Sequence, residues 1–155
     1  MPTNSLSDEL VAQVSCERLL VRLFHCLDAR DYEGVAACFA EDSLWLRQGK
    51  ELRGPAQVLK ALQERTATIH VHHLLSNIDV RLSGENRAKS IAYMTVYRSD
   101  TGKPPQLPIA MQGPELVAVC TAELRRTADD WRVTRLATTI TYLRTLLSAV
   151  PQATT

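Results

Sequence analysis

His70, His72 and His73 stand together in the stretch His70-Val71-His72-His73-Leu74-Leu75-Ser76-Asn77. Imidazole titrates near neutrality, so a histidine is the side chain best suited to move a proton in neutral water. Such a base needs an orienting carboxylate, and Asp28 has the most suggestive position. It lies four residues after Phe24 and seven after Val21, so helical spacing continues an apolar stripe onto it and turns it toward the core or a pocket. The alternative for Asp28 is a partly exposed residue near a helix end, capping the turn into Asp31. Asp31 itself is explained as the N-cap of the helix that follows.

Strand alternation puts His70 and His72 on one face and His73 on the other. Two histidines one residue apart can ligate a metal, but a site normally needs three or four ligands and no third is identifiable, so no metal is expected. His73 shares its parity with Asn77, Asp79 and Arg81, whereas Ile78, Val80 and Leu82 hold the opposite one. Parity alone therefore favours His72 as the inward residue. A β-bulge between Leu75 and Asn77 would instead allow His73 to point inward. Tyr93 and Tyr97 lie at even spacing on a later strand. They could donate hydrogen bonds to a ligand carbonyl, or pack with their hydroxyls at a rim. No G-x-S-x-G, Gly-rich phosphate loop or H-E-x-x-H occurs, which leaves nucleotide and zinc-hydrolase chemistry without support.

The elements that must position these residues fall into two groups. Residues 8–29 read as a helix with Ser7 as N-cap, on which Leu10, Val14, Val21 and Phe24 recur at helical spacing and Leu20, Leu23 and Leu27 widen the stripe. Residues 32–39 form a second, shorter helix. Residues 43–53 are a strand or hairpin containing Trp45, and Gly54-Pro55 opens a third helix reaching about residue 65. Strands follow at residues 70–82, 87–98, 116–126 and 131–142, the last two as a hairpin around Ala128-Asp129-Asp130. Helices first and strands afterwards mark an α+β fold rather than alternating βαβ units. One domain over residues 7–148 is expected, with disordered tails at 1–6 and 149–155.

The 155 residues are 45% hydrophobic and 23% charged, enough for one domain with its own core. Lys and Arg total 18 against 17 Asp and Glu. That balance argues against a nucleic-acid or anionic-membrane partner, which would need clustered positive charge. No apolar stretch approaches a membrane span, and the polar start predicts no secretory leader. Cys16, Cys26, Cys38 and Cys120 form no C-x-x-C pair, and three fall in apolar helical stretches. A reduced, cytoplasmic protein is expected.

Leu27-Asp28-Ala29-Arg30-Asp31-Tyr32, followed by Cys38-Phe39-Ala40-Glu41-Asp42-Ser43-Leu44-Trp45, resembles the opening of the SnoaL-like group of the nuclear transport factor 2-like superfamily. The Gly54-Pro55 helix start, His73-Leu74-Leu75-Ser76-Asn77 and Asp130-Trp131-Arg132-Val133 agree in order and spacing. The resemblance implies a cone-shaped, curved antiparallel sheet with three helices from the N-terminal half enclosing a pocket. The arrangement is also similar to scytalone dehydratase and to the small subunit of aromatic-ring-hydroxylating dioxygenases. The dehydratase family has an acid at the end of its first helix and a histidine at the start of a strand, and Asp28 and His73 are the matching positions. Leu27 stands where that family has a tyrosine, and residues 87–98 hold no histidine where it has a second one.

The resemblance thus implies a cofactor-independent enzyme acting on a hydrophobic, oxygenated ring compound, by proton abstraction next to a carbonyl that gives elimination, isomerisation or cyclisation. His73 would be the base or acid, Asp28 its orienting partner and Tyr93 or Tyr97 the carbonyl donor. Phe24, Leu27, Trp45, His72, Asn77 and Tyr97 would line the pocket. The rival reading is a non-catalytic ligand-binding module or the structural small subunit of a dioxygenase. Two further expectations concern surfaces. The apolar loop at residues 100–115 should close over the pocket mouth or a dimer seam, burying Leu107, Ile109 and Met111. The strand at residues 116–126, apolar on both faces, should need a second cover, supplied by a homodimer through the outer face of the sheet.

Overall fold

The computed structural model describes residues 6–128 and 130–145. The elements run α1 (Leu6–Ala29), α2 (Tyr32–Ala37), β1 (Phe39–Arg47), β2 (Lys50–Arg53), α3 (Gly54–Gln63), β3 (Ile69–Leu82), β4 (Arg87–Asp100), β5 (Leu116–Arg126) and β6 (Trp131–Leu143). The expected tails lie outside the described residues except for Leu6, which opens α1. Ser7 is therefore inside that helix rather than at its cap.

The buried face of α1 is Ala12, Cys16, Leu19, Leu20, Leu23, Phe24 and Leu27. The expected stripe was rotated: Leu10, Val14 and Val21 are exposed. Both stripes obey helical spacing, and the leucine-rich one won because it removes more apolar surface from water. Val14 and Val21 instead wall an outer groove of about 430 Å³, with Glu17, Arg18, Arg22 and His25. Asp31 caps α2, its carboxylate accepting the Gly34 amide at 2.9 Å.

Phe39–Arg47 and Lys50–Arg53 pair as a hairpin across Gln48 and Gly49, whose φ angles of 51° and 77° give the doubly left-handed turn that matches strand twist. Gly54 opens α3 at φ +71°, and a Cβ there would come 2.8 Å from the Glu41 carbonyl oxygen. Only glycine fits both demands.

The six strands form one sheet in the order β2-β1-β6-β5-β4-β3. The sheet is mixed rather than wholly antiparallel, because β1 and β6 run parallel. The helices separating β1 from the later strands supply the long connection a parallel pair needs. On β4 the alternation is complete: Ala88, Ser90, Ala92, Met94 and Val96 are buried, while Ile91, Tyr93, Thr95 and Tyr97 face outward. The inner rows of β4, β5 and β6 meet the buried faces of the helices in one core that includes Leu23, Phe24, Trp45, Val58, Leu62 and Leu136.

The loop between β4 and β5 does not bury its apolar residues as expected. Leu107 is 74% and Met111 52% exposed, and only Ile109 is half-buried. Backbone bonds hold its end, Glu115 N–H donating to the Val96 carbonyl at 2.8 Å and Arg144 N–H to the Glu115 carbonyl at 2.8 Å.

Candidate functional site

β3 forms one of the two edges of the sheet, so every second backbone amide along it lacks a strand partner. One of these is His73. Its N–H donates to Asp28 Oδ2 at 2.7 Å, and its ring Nδ1 lies 2.5 Å from Asp28 Oδ1. One carboxylate therefore holds both the backbone and the side chain of a single histidine. Asp28 reaches the edge because it sits in the last turn of α1, four residues after Phe24 on the buried face. Phe24 stacks obliquely on the imidazole, with ring centres 5.3 Å apart. Both partners of the pair are 13% exposed.

A bulge turns His73 inward. Ser76 pairs with Tyr93 and Asp79 with Ile91, leaving Asn77 and Ile78 opposite Ala92 alone. The break falls one step beyond the place that parity suggested. Before it, Ile69, Val71, His73 and Leu75 face the core; after it, Val80 and Leu82 do. Asn77 absorbs the extra residue at φ 52°, a left-handed conformation that Asn tolerates better than other residues with a Cβ.

Cross-strand partners share a face, so the register shows what His73 looks across. One inner row reads His73, Val96, Leu116, Leu143, and the next Leu75, Met94, Ala118, Ile140. Val96, Met94 and Ala118 are buried, but Ile140 and Leu143 are 53% and 60% exposed. The inner, concave face of the sheet thus carries exposed apolar side chains in the rows of the histidine.

The other expected site residues do not all gather at the pair. Phe24 and Leu27 are buried beside the pair. Trp45 is buried deeper, stacked on Phe39 at 5.4 Å. His72 stays at the rim, its side chain 62% exposed and its Nδ1 3.7 Å from Asp28 Oδ2. Asn77 is exposed at the bulge and so is not a pocket residue. Tyr93 and Tyr97 lie on the outer face of β4, with Tyr93 50% exposed. A strand cannot present these tyrosines to the same side as Met94 and Val96, so neither can donate to a ligand beside His73.

Sequence reasoning passed over a cationic group near the pair. Arg65 donates to the Leu27 carbonyl at 3.2 Å, and its guanidinium carbon sits 5.9 Å from the centre of the Tyr32 ring. Arg30 donates to the Tyr32 hydroxyl at 3.1 Å and to the carbonyls of Thr66 and Ile69 at 2.8 and 2.5 Å. Arg47 lies 5.4 Å over the Trp45 ring. Burial holds the pKa of Arg47 and of Arg65 below the usual arginine value; the Arg65 charge adds to the effect at Arg47. The available signal was parity: Arg47 follows Trp45 by two, a charge at a core-facing strand position.

The four cysteines are free. Burial pushes the thiol of Cys16 up to about 12 and that of Cys120 up to about 11, so both behave as packed, unreactive groups.

Residues 8–137 match the SnoaL-like domain. The chain belongs to the SnoaL-like family. Solved structures agree on the fold. A type-3 LinA hexachlorocyclohexane dehydrochlorinase from Novosphingobium barchaimii LL02 is similar with a TM-score of 0.78 and 18% identity, over 94% of this chain and 97% of that one. A candidate scytalone dehydratase from Novosphingobium aromaticivorans DSM 12444 has a TM-score of 0.74 and 19% identity, over 89% of each chain. An NTF2-like protein with a cystatin-like fold from Novosphingobium aromaticivorans has a TM-score of 0.73 and 20% identity, over 90% of this chain and 92% of that one. No curated protein matches the chain by sequence. This SnoaL-like chain thus has the nuclear transport factor 2-like fold: helices against a curved, unclosed sheet. Among its described residues no helix is long and apolar enough to cross a membrane.

Proposed function

We propose that this SnoaL-like protein is a cofactor-independent acid–base enzyme, a dehydratase, isomerase or cyclase acting on a hydrophobic, oxygenated ring compound. The hydrogen-bonded pair Asp28–His73 carries the reading. In the neutral ring, an acceptor-only carboxylate leaves the hydrogen between them on Nδ1 of His73 and the lone pair on Nε2. Nε2 removes a proton from a carbon next to the ligand carbonyl, the C–H electron pair forms a double bond to the carbonyl carbon, and the C=O π pair moves onto oxygen as an enolate. In elimination the oxygen pair re-forms the carbonyl, the double bond shifts to the carbon on the far side, and the leaving group departs from that carbon with its bonding electrons. In isomerisation Nε2–H returns the proton to a different carbon. Asp28 fixes the ring and stabilises the imidazolium formed on the way. The names of the structural relatives, a dehydrochlorinase and a candidate dehydratase, belong to the same class of elimination.

Proton exchange tests this without a known substrate. In deuterium oxide the protein should speed exchange at the carbons beside the carbonyl of 2-tetralone, followed by proton NMR, and His73→Ala should abolish the acceleration. Equal exchange with wild type and variant would remove His73 as the base.

One observation favours the non-catalytic reading. Asp28 also binds the His73 backbone, so the pair ties α1 to the sheet edge and could serve a ligand-binding module by structure alone. In that case His73→Ala and Asp28→Asn should lower the melting temperature while leaving ligand binding intact. The outer face, with Leu74, Ile91 and Tyr93 exposed beside half-buried Val117 and Val119, supports the homodimer proposal. Light scattering of wild type and Tyr93→Glu checks it: a dimer mass for the first and a monomer for the second. Four free cysteines fit a reducing cytoplasm.

A further inference from the structure

Arg47 ends β1 on the inward parity of Trp45. Trp45 pairs with Leu136 and Leu46 with Ala137, so extending the parallel register sets Arg47 beside Thr138, one inward step from Ile140. It therefore stands on the same concave face as His73. Its only polar contact among the described residues is to the neutral Gln48 Oε1 at 3.4 Å. None of Arg30, Arg47 and Arg65 has a carboxylate at ion-pair distance among the described residues, although eight arginine or lysine pairs with a carboxylate occur elsewhere among them.

A guanidinium cannot relieve this by losing its proton. Half-burying two of them near one another, without a counter-charge, is unfavourable unless something negative joins them. The Trp45 and Tyr32 ring faces compensate in part. Burial and like-charge repulsion both act on Arg47, and Asp28 reaches Arg65 only as a distant charge. Arg30 is already committed to two carbonyls and a hydroxyl, and Arg65 to the Leu27 carbonyl and the Tyr32 hydroxyl. Arg47 keeps most of its five donors without a protein acceptor among the described residues.

We propose that Arg47 and Arg65, beside Tyr32, bind a carboxylate of the ligand, so the substrate class is an acidic ring compound rather than a neutral one. The proposal rests on the concave face assigned above but not on the chemistry of His73. The apolar rows at Leu116, Ile140 and Leu143 take the ring, and Arg47 fixes which end points inward.

Calorimetric titration of the full chain with benzoate, and with its neutral counterpart benzamide, tests it. Benzoate should bind more tightly than benzamide. Arg47→Gln should weaken benzoate about 10- to 100-fold, the range for one charge-assisted hydrogen bond, and leave benzamide unchanged. Arg47→Lys should restore part of the loss. His73→Ala should still bind benzoate, which separates this site from the acid–base proposal: loss of exchange activity with benzoate binding intact leaves the anion site standing. Wild type that binds benzamide as well as benzoate, or binds neither, overturns the proposal without any variant. So does a folded Arg47→Gln, checked by its melting curve, with wild-type affinity for benzoate.

Discussion

Asp28 and Asp42 make contacts of nearly the same length in different surroundings. Asp28 holds His73 at 2.5 Å with both side chains 13% exposed. Asp42 grips Arg125 through two bonds at 2.6 and 3.0 Å, with its own side chain 64% exposed. By distance the two are equals. By burial they are not, because water screens the outer pair and competes for each of its bonds. Distance identifies partners, while burial and what else the carboxylate must hold decide what breaking the contact does. The Asp28 contact joins a helix end to a sheet edge and aims a titratable ring; the Asp42 contact joins the exposed sides of β1 and β5.

The sharpest break of this comparison is at the inner pair. Asp28→Asn and His73→Ala should each lower turnover about 100- to 10,000-fold, the usual contribution of a general acid or base. Steady-state rates on whichever ring ketone shows exchange will measure it. A loss under tenfold in both variants would make the inner contact no more consequential than the outer one.

A subtler perturbation works through the bulge. Asn77→Gly should leave stability within about 1 kcal/mol, because glycine enters the left-handed region without strain. Asn77→Val should cost about 1–3 kcal/mol in denaturant unfolding and should disturb His73 as well, since a β-branched residue resists that conformation. If valine is as harmless as glycine, the bulge is not what orients the histidine.

Thiols extend the same contrast. Cys16 is fully buried and its thiol is pushed up to about 12, above the unfolded value of 9.0. A raised thiol pKa means that the folded state keeps its proton longer than the unfolded one. Its stabilising contribution is complete below about pH 9 and falls as pH climbs toward 12. Cys16→Ala should therefore flatten the alkaline limb of the stability curve. In native protein, Ellman's reagent should react with partly exposed Cys26 before Cys16.

The smallest effect is expected at the outer pair. Arg125 holds the Asp42 carboxyl below the usual aspartate range. A lowered carboxylate pKa contributes stability above the unfolded value, and the contribution fades as pH falls through the folded one. Asp42→Asn should hardly move the melting temperature at pH 7 and should remove only a shallow part of the acid limb. A large drop at pH 7 would reverse the ranking of the two aspartates.

Much of this was legible from spacing alone. The segregation of helices and strands, the β4 alternation and the Asp31 cap follow from local rules that the packed structure obeys. The α1 stripe was misread because two faces of that helix carry apolar residues at the same period, and only the sheet beneath it decides between them. At the site, Asp28 and His73 were identifiable, but the inward turn of His73 depended on a bulge that periodicity could only require, not locate. Of the two roles open to Tyr93 and Tyr97, strand parity already opposed the carbonyl donor, since it sets them opposite Met94 and Val96. The parallel β1–β6 pair had no local signal, since strand direction is set by the chain's path.

Asp28 also occupies a seat that would otherwise be open to strangers. An unpaired edge amide invites the carbonyl of an extended segment from another molecule, which is how sheets grow between chains. With Asp28 on the His73 amide, the middle of β3 cannot extend the sheet without first displacing α1. Asparagine at position 28 keeps an acceptor in that seat, whereas alanine vacates it. The carboxylate that holds the histidine ring thus also covers this part of the edge, so in the enzyme proposed above activity and solubility would depend on the same two oxygens.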